Sequence, residues 1–115
     1  LPFRTEKIKD ISTVQEFFQQ HPDIDALYFS TNYLCVKTLK ILNTQFPTST
    51  FGIVAFDDHE LFELINPTIT CIRQPLEAIA KEIVQTIIRQ LKHAEADFVE
   101  KIIPSELIIR SSSEK

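Results

Sequence analysis

Residues 51–59 read Phe-Gly-Ile-Val-Ala-Phe-Asp-Asp-His, a short apolar run that ends on two adjacent carboxylates. A run this apolar predicts a strand buried on both faces, which is typical of parallel sheets. In open α/β sheets, ligands bind in the crevice beyond the carboxyl ends of such strands. Asp57 and Asp58 lie at that end of the strand, so the first candidate site is placed there.

Apolar runs alternate with helical patterns over most of the chain. Strands are predicted at residues 25–30, 51–56 and 68–73, a helix follows the first strand, and a short helix covers 59–64. A longer helix begins at Pro75. One face of it is expected to be buried, because apolar residues recur at helical spacing: Leu76, Ile79, Ala80, Ile83, Val84, Ile87, Ile88 and Leu91. The alternation predicts an α/β fold, with a mainly parallel sheet and flanking helices.

The two ends of the chain carry shorter segments. At the front, residues 3–8 are compatible with a strand, and Ser12 is expected to cap a helix. At the back, short strands are predicted at 99–103 and 107–109. Residues 110–113 are expected to fray as a tail.

The composition is that of one globular domain. With 115 residues, of which 43% are hydrophobic and 24% charged, the chain is long enough for a single core. The net charge of -4 and the scattered Lys and Arg residues argue against a nucleic-acid-binding face. Cys35 and Cys71 lie far apart in the sequence, so two buried thiols in a reducing cytosol are expected. We expect no membrane span and no signal peptide, and the start without Met indicates a processed or excised piece.

Four sequence landmarks occur in one order and at coherent spacing. They are Asp-Ala-Leu-Tyr-Phe-Ser-Thr-Asn at 25–32, Ala-Phe-Asp-Asp at 55–58, Pro-Thr-Ile-Thr-Cys-Ile-Arg-Gln-Pro at 67–75, and Ile-Pro-Ser-Glu-Leu-Ile-Ile-Arg-Ser at 103–111. Together they resemble the C-terminal part of a transcriptional regulator of the lactose-repressor (LacI/GalR) family. The resemblance extends from about residue 10 to about residue 112.

The resemblance implies a type I periplasmic-binding-protein fold, in which two α/β lobes close on a small effector. Residues 1–71 would belong mostly to the C-terminal lobe, 72–104 would supply elements of the N-terminal lobe, and 105–115 would cross back and form the tail. The effector would be a sugar or sugar derivative, and the protein a cytoplasmic homodimer without catalysis or cofactor. Family members bind DNA through an N-terminal helix-turn-helix and a hinge helix, neither of which is in this sequence.

The resemblance also assigns effector contacts to Asn32, Asp57 and Gln74. A carboxylate accepts hydrogen bonds from sugar hydroxyls, and an amide both donates and accepts, so the chemistry fits. Tyr33 stands where the family usually has Asp. Its ring would supply a stacking face for a sugar.

Each candidate residue also has a purely structural interpretation. Asp57 or Asn32 could cap the helix that follows it, and Gln74 could bond to the main chain. Asp58 is interpreted as a cap or a hinge-facing support rather than a ligand contact. Arg73 is interpreted as a member of a structural salt bridge rather than a partner for a ligand carboxylate.

An enzyme is the alternative class. A strand followed by an acidic pair also occurs in receiver-like and phosphotransfer domains, where Asp57 and Asp58 would hold Mg²⁺. Such sites need further acidic and lysine partners, whereas the other strand ends carry Ser-Thr-Asn and Arg-Gln. His59 invites a metal or acid–base role, but a surface histidine at a helix start is the favoured interpretation.

Overall fold

The structure is a computed structural model that describes residues 11–45, 51–93 and 100–114. Its elements alternate between helix and strand, which confirms the predicted α/β fold. In chain order they are α1 (Ile11–Gln20), β1 (Ala26–Phe29), α2 (Asn32–Gln45), β2 (Gly52–Phe56), α3 (Leu61–Leu64), β3 (Thr70–Arg73), α4 (Leu76–Lys92), β4 (Glu106–Ile108) and a 3₁₀ helix (Ser111–Ser113).

The four strands form one sheet in the order β1-β2-β3-β4. The first three are parallel, with Phe29 opposite Ala55 and Phe56 opposite Ile72, whereas β4 runs antiparallel to β3. The carboxyl ends of β1, β2 and β3 therefore meet at one edge of the sheet. Whatever residues follow these strands are brought together there, as in other open α/β sheets.

The core lies around β2 and is built by residues from the first three helices and the first three strands. In β2 itself, Ile53 and Ala55 are fully buried, while Val54 and Phe56 remain partly exposed. The burial of this strand therefore alternates, and the prediction that both faces are buried was wrong. One face packs on the core, whose members include Val14, Phe18, Phe29, Cys35, Leu39, Ile41, Leu42, Phe62, Ile69 and Cys71.

Helix α4 forms as predicted, but its apolar face is not buried. No residue of this helix is buried, and Ile83, Ile87 and Leu91 are 53%, 49% and 82% exposed. Beside it lies the segment that carries Lys101, whose ammonium pairs with Glu82 at 2.5 Å. The periodicity correctly indicated an amphipathic helix, but it carries no information on whether a covering surface is present.

The C-terminal segment also differs from the prediction. Residues 110–113 do not fray: residues 111–113 form the 3₁₀ helix, in which Ser112 is only 2% exposed. The Ser112 hydroxyl donates to the Ile53 carbonyl (2.6 Å) and accepts from the Thr70 amide (2.9 Å). A serine run reads as a tail in sequence, but here buried main-chain groups on β2 and β3 need its hydroxyls as partners.

The remaining predictions at the chain ends have mixed outcomes. The strand at 107–109 is present as β4, whereas residues 100–103 form no strand. Helix α1 already includes Ile11, so Ser12 lies within its first turn. The proposed strand at 3–8 and residue Val99 lie outside the described residues. None of the described helices is both long and apolar enough to cross a membrane.

We expect Thr38→Val to raise the free energy of unfolding by about 1 kcal/mol, because the buried Thr38 hydroxyl has no hydrogen-bond partner among the described residues. Thr70 is the matched control, since it is equally buried but its hydroxyl bonds to the main chain of Arg110. Thr70→Val is expected to lower stability by about 1–3 kcal/mol. Urea denaturation of both variants measures the two changes, and a destabilised Thr38→Val would contradict the assignment.

Candidate functional site

A cleft of about 250 Å³ opens at the edge where the three parallel strands end. It is lined by residues at or shortly after the carboxyl ends of β1, β2 and β3, together with the start of α4. The lining residues are Asn32, Asp57, Asp58, Arg73, Gln74 and Leu76. The structure thus brings together three of the four predicted site residues, Asn32, Asp57 and Gln74. The strand-end argument made from the sequence therefore locates this cleft.

The Asn32 side chain is free for the cleft because its neighbour caps the helix. The Thr31 hydroxyl accepts a hydrogen bond from the Leu34 amide (3.2 Å), which is the N-cap bond of α2. Asn32 Nδ2 instead donates to the main-chain carbonyl of Asp58 across the strand ends (2.9 Å). The capping role considered for Asn32 thus belongs to Thr31.

Asp57 adopts a left-handed backbone conformation, with φ of 68°. Such a conformation is uncommon outside glycine, although Asp and Asn tolerate it best. Its amide donates to the Ile72 carbonyl (2.9 Å), and its Oδ1 accepts from Gln74 Nε2 (2.5 Å). Strained backbone of this kind often marks functional positions. Here it turns the chain out of β2 and places the Asp57 carboxylate beside the Gln74 amide.

Several polar atoms of the cleft have no partner among the described residues. Within residues 11–45, 51–93 and 100–114, no donor bonds to Asp57 Oδ2, Asn32 Oδ1 or Gln74 Oε1, and the second amide proton of Asn32 and of Gln74 is also unused. The cleft therefore offers three acceptors and two donors at close range. Alcohol hydroxyls, which donate and accept at once, suit such a mixed set.

Asp58 also lines the cleft, but its carboxylate is held by two arginines. Arg73 donates to its Oδ2 from both Nε (2.9 Å) and Nη2 (2.6 Å), and Arg110 reaches its Oδ1 from Nη1 (3.0 Å). Burial raises the pKa of Asp58, but hydrogen bonds from Arg110, Cys71, Arg73 and the His59 amide together hold that pKa well below its usual range. The structural role predicted for Asp58 and the salt bridge predicted for Arg73 both agree with this geometry.

Arg110 is the residue that the sequence interpretation missed. Its side chain is only 9% exposed, and its guanidinium also donates to the Ile69 carbonyl (2.8 Å) and to Glu63 Oε1 (2.8 Å). The Asp58 carboxylate raises the pKa of Arg110 further above its ordinary value. The signal was available, since the fourth landmark contains an arginine directly after the predicted strand at 107–109, but the serines after it suggested a tail.

Both cysteines are buried thiols, as predicted. Burial raises the pKa of Cys35 to about 12, and burial followed by the neighbouring Asp58 carboxylate raises that of Cys71 to about 11. Thiols with such values remain protonated and are poor nucleophiles. They belong to the core rather than to the chemistry of the site.

Two residues singled out from the sequence lie apart from the cleft. Tyr33 is 68% exposed and does not line it, and its ring has the Lys37 ammonium 5.9 Å from the centroid. A stacking role for Tyr33 stays a prediction. His59 Nδ1 accepts a hydrogen bond from the Leu61 amide at the start of α3. Within the part of the chain that the structure describes, no group of three His, Cys, Asp or Glu residues is arranged to hold a metal ion.

Comparison with known sequences places the chain among ligand-binding domains. Residues 4–113 match the family described as periplasmic binding protein-like domain. The HTH-type transcriptional regulator CelR of Thermobifida fusca is 21% identical over 105 residues, which are 89% of this chain and 31% of that protein. The ribose operon repressor of Halalkalibacterium halodurans is 24% identical over 98 residues, 83% of this chain and 29% of that protein. This chain thus spans about a third of the length of these relatives.

Solved structures show the same fold. A complex of the transcriptional regulator CelR with cellobiose superposes with a TM-score of 0.78 at 20% identity, over 89% of this chain and 32% of that one. A LacI family regulator from Enterococcus faecium with bound ribose gives 0.78 at 17% identity, over 90% and 38%. Together with the sequence relatives, these matches confirm the resemblance drawn from the four landmarks.

We expect Asp58→Asn to lower the free energy of unfolding by about 2 kcal/mol near neutral pH, because it removes a charged acceptor shared by two arginines. The loss is expected to shrink as the pH falls. The pKa of Asp58 in the folded protein lies below its unfolded value of about 3.9, so its stabilisation is complete above that value and disappears as the carboxylate is protonated below it.

Denaturant unfolding at a series of pH values between 7 and 3, conditions chosen to bracket the ordinary carboxylate range, measures this difference. Glu100→Gln is the control, because Glu100 is exposed and forms no ion pair with the described residues. A stability difference for Asp58→Asn that is independent of pH would contradict the role of the ionised carboxylate.

Proposed function

The chain belongs to the periplasmic binding protein-like domain family, and on this basis we propose that its cleft binds a small polyhydroxylated effector, a sugar or sugar derivative. The observation that carries the proposal is the cluster of Asn32, Asp57 and Gln74 at the ends of three parallel strands. Their unpartnered oxygens and amide protons match a ligand whose hydroxyl groups both donate and accept.

The charges around the cleft favour a neutral ligand. Arg73 lines the cleft, but its guanidinium already donates twice to Asp58. A ligand carboxylate or phosphate would have to compete with that ion pair and would also face Asp57. A neutral sugar avoids both costs and can use the Asp57 carboxylate as a strong acceptor.

Relatives of known ligand agree with this class. One similar protein is named as a ribose operon repressor, and the two similar structures contain cellobiose and ribose. These ligands differ in size, so they support a sugar as the class of ligand without selecting one member. The choice among sugars depends on cleft walls that lie partly outside this chain.

For the whole protein we propose a transcriptional regulator in which this chain is part of the sensor. Residues 1–71 form most of one lobe, 72–104 belong to the other, and 105–115 cross back. The exposed apolar face of α4 supports this division, because the rest of that second lobe would cover it. Ligand-driven closure of the lobes would shift a homodimer between its DNA-binding and released states. DNA would be bound by an N-terminal helix-turn-helix, in the cytoplasm, and the protein would need no cofactor and catalyse no reaction.

The receiver-like or phosphotransfer alternative is less well supported. It needs both Asp57 and Asp58 as Mg²⁺ ligands. Asp58 is already saturated by Arg73 and Arg110, so only one carboxylate is left for a cation. As far as the structure describes the chain, the cleft lining contains no lysine and no third carboxylate.

A thermal-shift screen of sugars on the intact protein tests the ligand proposal, since a ligand that binds only the folded state raises Tm. We expect a stabilising sugar, and we expect Asp57→Asn to weaken it by about tenfold or more, because a hydrogen bond to a charged group is lost. Asn is the appropriate replacement, since it tolerates the left-handed backbone of Asp57 better than Ala does.

The matched control is Asp25→Asn, which changes an exposed carboxylate outside the cleft lining. Equal loss of affinity in both variants would point to a general charge effect. An unchanged affinity in Asp57→Asn would remove this residue from the ligand site.

The isolated chain is expected to self-associate, because α4 leaves a row of large apolar side chains uncovered. Multi-angle light scattering at several concentrations measures this directly. Ile87→Glu on α4 is expected to reduce association. Leu64→Glu changes an exposed apolar residue of α3, so it distinguishes association through α3 from association through α4. A monodisperse monomer at high concentration would contradict the prediction.

A further inference from the structure

Arg110 lies outside the cleft but bonds to three other segments of the chain. Its guanidinium donates to the Asp58 carboxylate after β2, to the Ile69 carbonyl before β3, and to Glu63 on α3. It is not part of the cleft lining, and its side chain is almost completely buried. The residue therefore does not face a ligand itself, yet one of its partners, Asp58, lines the cleft.

The connection from Arg110 to the cleft runs through Asp58. The Asp58 carboxylate is held by Arg110, and the Asp58 carbonyl accepts the hydrogen bond from Asn32 Nδ2 at 2.9 Å. Asp57, the preceding residue, has the left-handed backbone that directs its carboxylate toward Gln74. A shift of the Asp58 side chain would therefore move the Asp58 main chain. That main chain accepts the hydrogen bond from Asn32 and is joined directly to Asp57.

The attachment of the C-terminal segment does not require the Arg110 side chain. The main chain of Arg110 bonds to the Thr70 hydroxyl through both its amide and its carbonyl. Ser112 adds buried bonds to Ile53 and Thr70. The segment is therefore anchored by the Arg110 main chain and by Ser112 without the guanidinium. The role of the guanidinium lies instead in holding the Asp58 carboxylate.

We propose that Arg110 is a positioning residue for the cleft: through Asp58 it sets the geometry of Asn32 and Asp57, and thereby the affinity for the effector. The affinity part of this inference rests on the proposed sugar-binding function, whereas the geometric part does not. Lysine cannot replace arginine here, since an ammonium lacks the planar fork that reaches a carboxylate and a carbonyl together.

The test compares wild type, Arg110→Lys and Asp58→Asn in the intact protein. Selective ¹⁵N labelling of Asn and Gln reports the side-chain amides of Asn32 and Gln74 without any ligand, and titration with ribose and with cellobiose reports affinity. We expect both variants to shift the Asn32 amide resonances toward those of a water-bonded amide. Affinity for whichever probe the wild type binds is expected to fall by about tenfold, the scale on which small misplacements of binding groups act.

Asp58→Asn cuts the same contact from the other side, so it decides the question if Arg110→Lys does not fold. Val14→Ala is the control for a purely structural effect, because it removes buried packing on α1, outside the cleft lining. Unchanged Asn32 and Gln74 resonances in both Arg110→Lys and Asp58→Asn would overturn the proposal. Equal shifts in Val14→Ala would overturn it as well. If the wild type binds neither sugar while the amides still move, sugar binding fails for these probes and the positioning role stands.

Discussion

The ion cluster centred on Asp58 is the interaction on which the rest of this structure depends. Arg73 and Arg110 approach the carboxylate from β3 and from the segment after β4. A partly buried carboxylate without such partners would be protonated or would remain in water. With them, it joins the ends of two neighbouring strands to the C-terminal segment.

The same cluster determines the chemistry of the cleft. Asp58 and Arg73, which both line the cleft, are paired with each other in this cluster. The remaining polar side chains of the lining are one carboxylate and two amides. The Asp57 carboxylate accepts from Gln74, whereas the Asp58 carboxylate accepts from Arg73 and Arg110. This difference in partners leaves the Asp57 carboxylate available to a ligand. It is the reason that the site suits a neutral hydroxylated ligand better than a cation.

Helix α4 shows the other side of the architecture. Its apolar face is as regular as that of a core helix, but the described part of the chain contains little to cover it. This chain matches only part of the similar structures: 32% of one and 38% of another. An amphipathic face of this length is stable only against another apolar surface. Within the described residues, the apolar face of α4 thus remains exposed.

The sequence by itself determined the alternation of helices and strands and the location of the cleft. Periodicity is set by neighbouring residues, and the strand-end rule placed Asp57 at the cleft. Asn32 and Gln74 were assigned to the same site through the family resemblance. The tertiary structure alone decided that Arg110 pairs with Asp58, 52 positions away, that Ser112 is buried, and that α4 is uncovered. A sequence pattern specifies what a side chain needs, such as a counter-charge, a donor or an apolar surface. Which distant residue meets that need is fixed only when the strands pack in three dimensions.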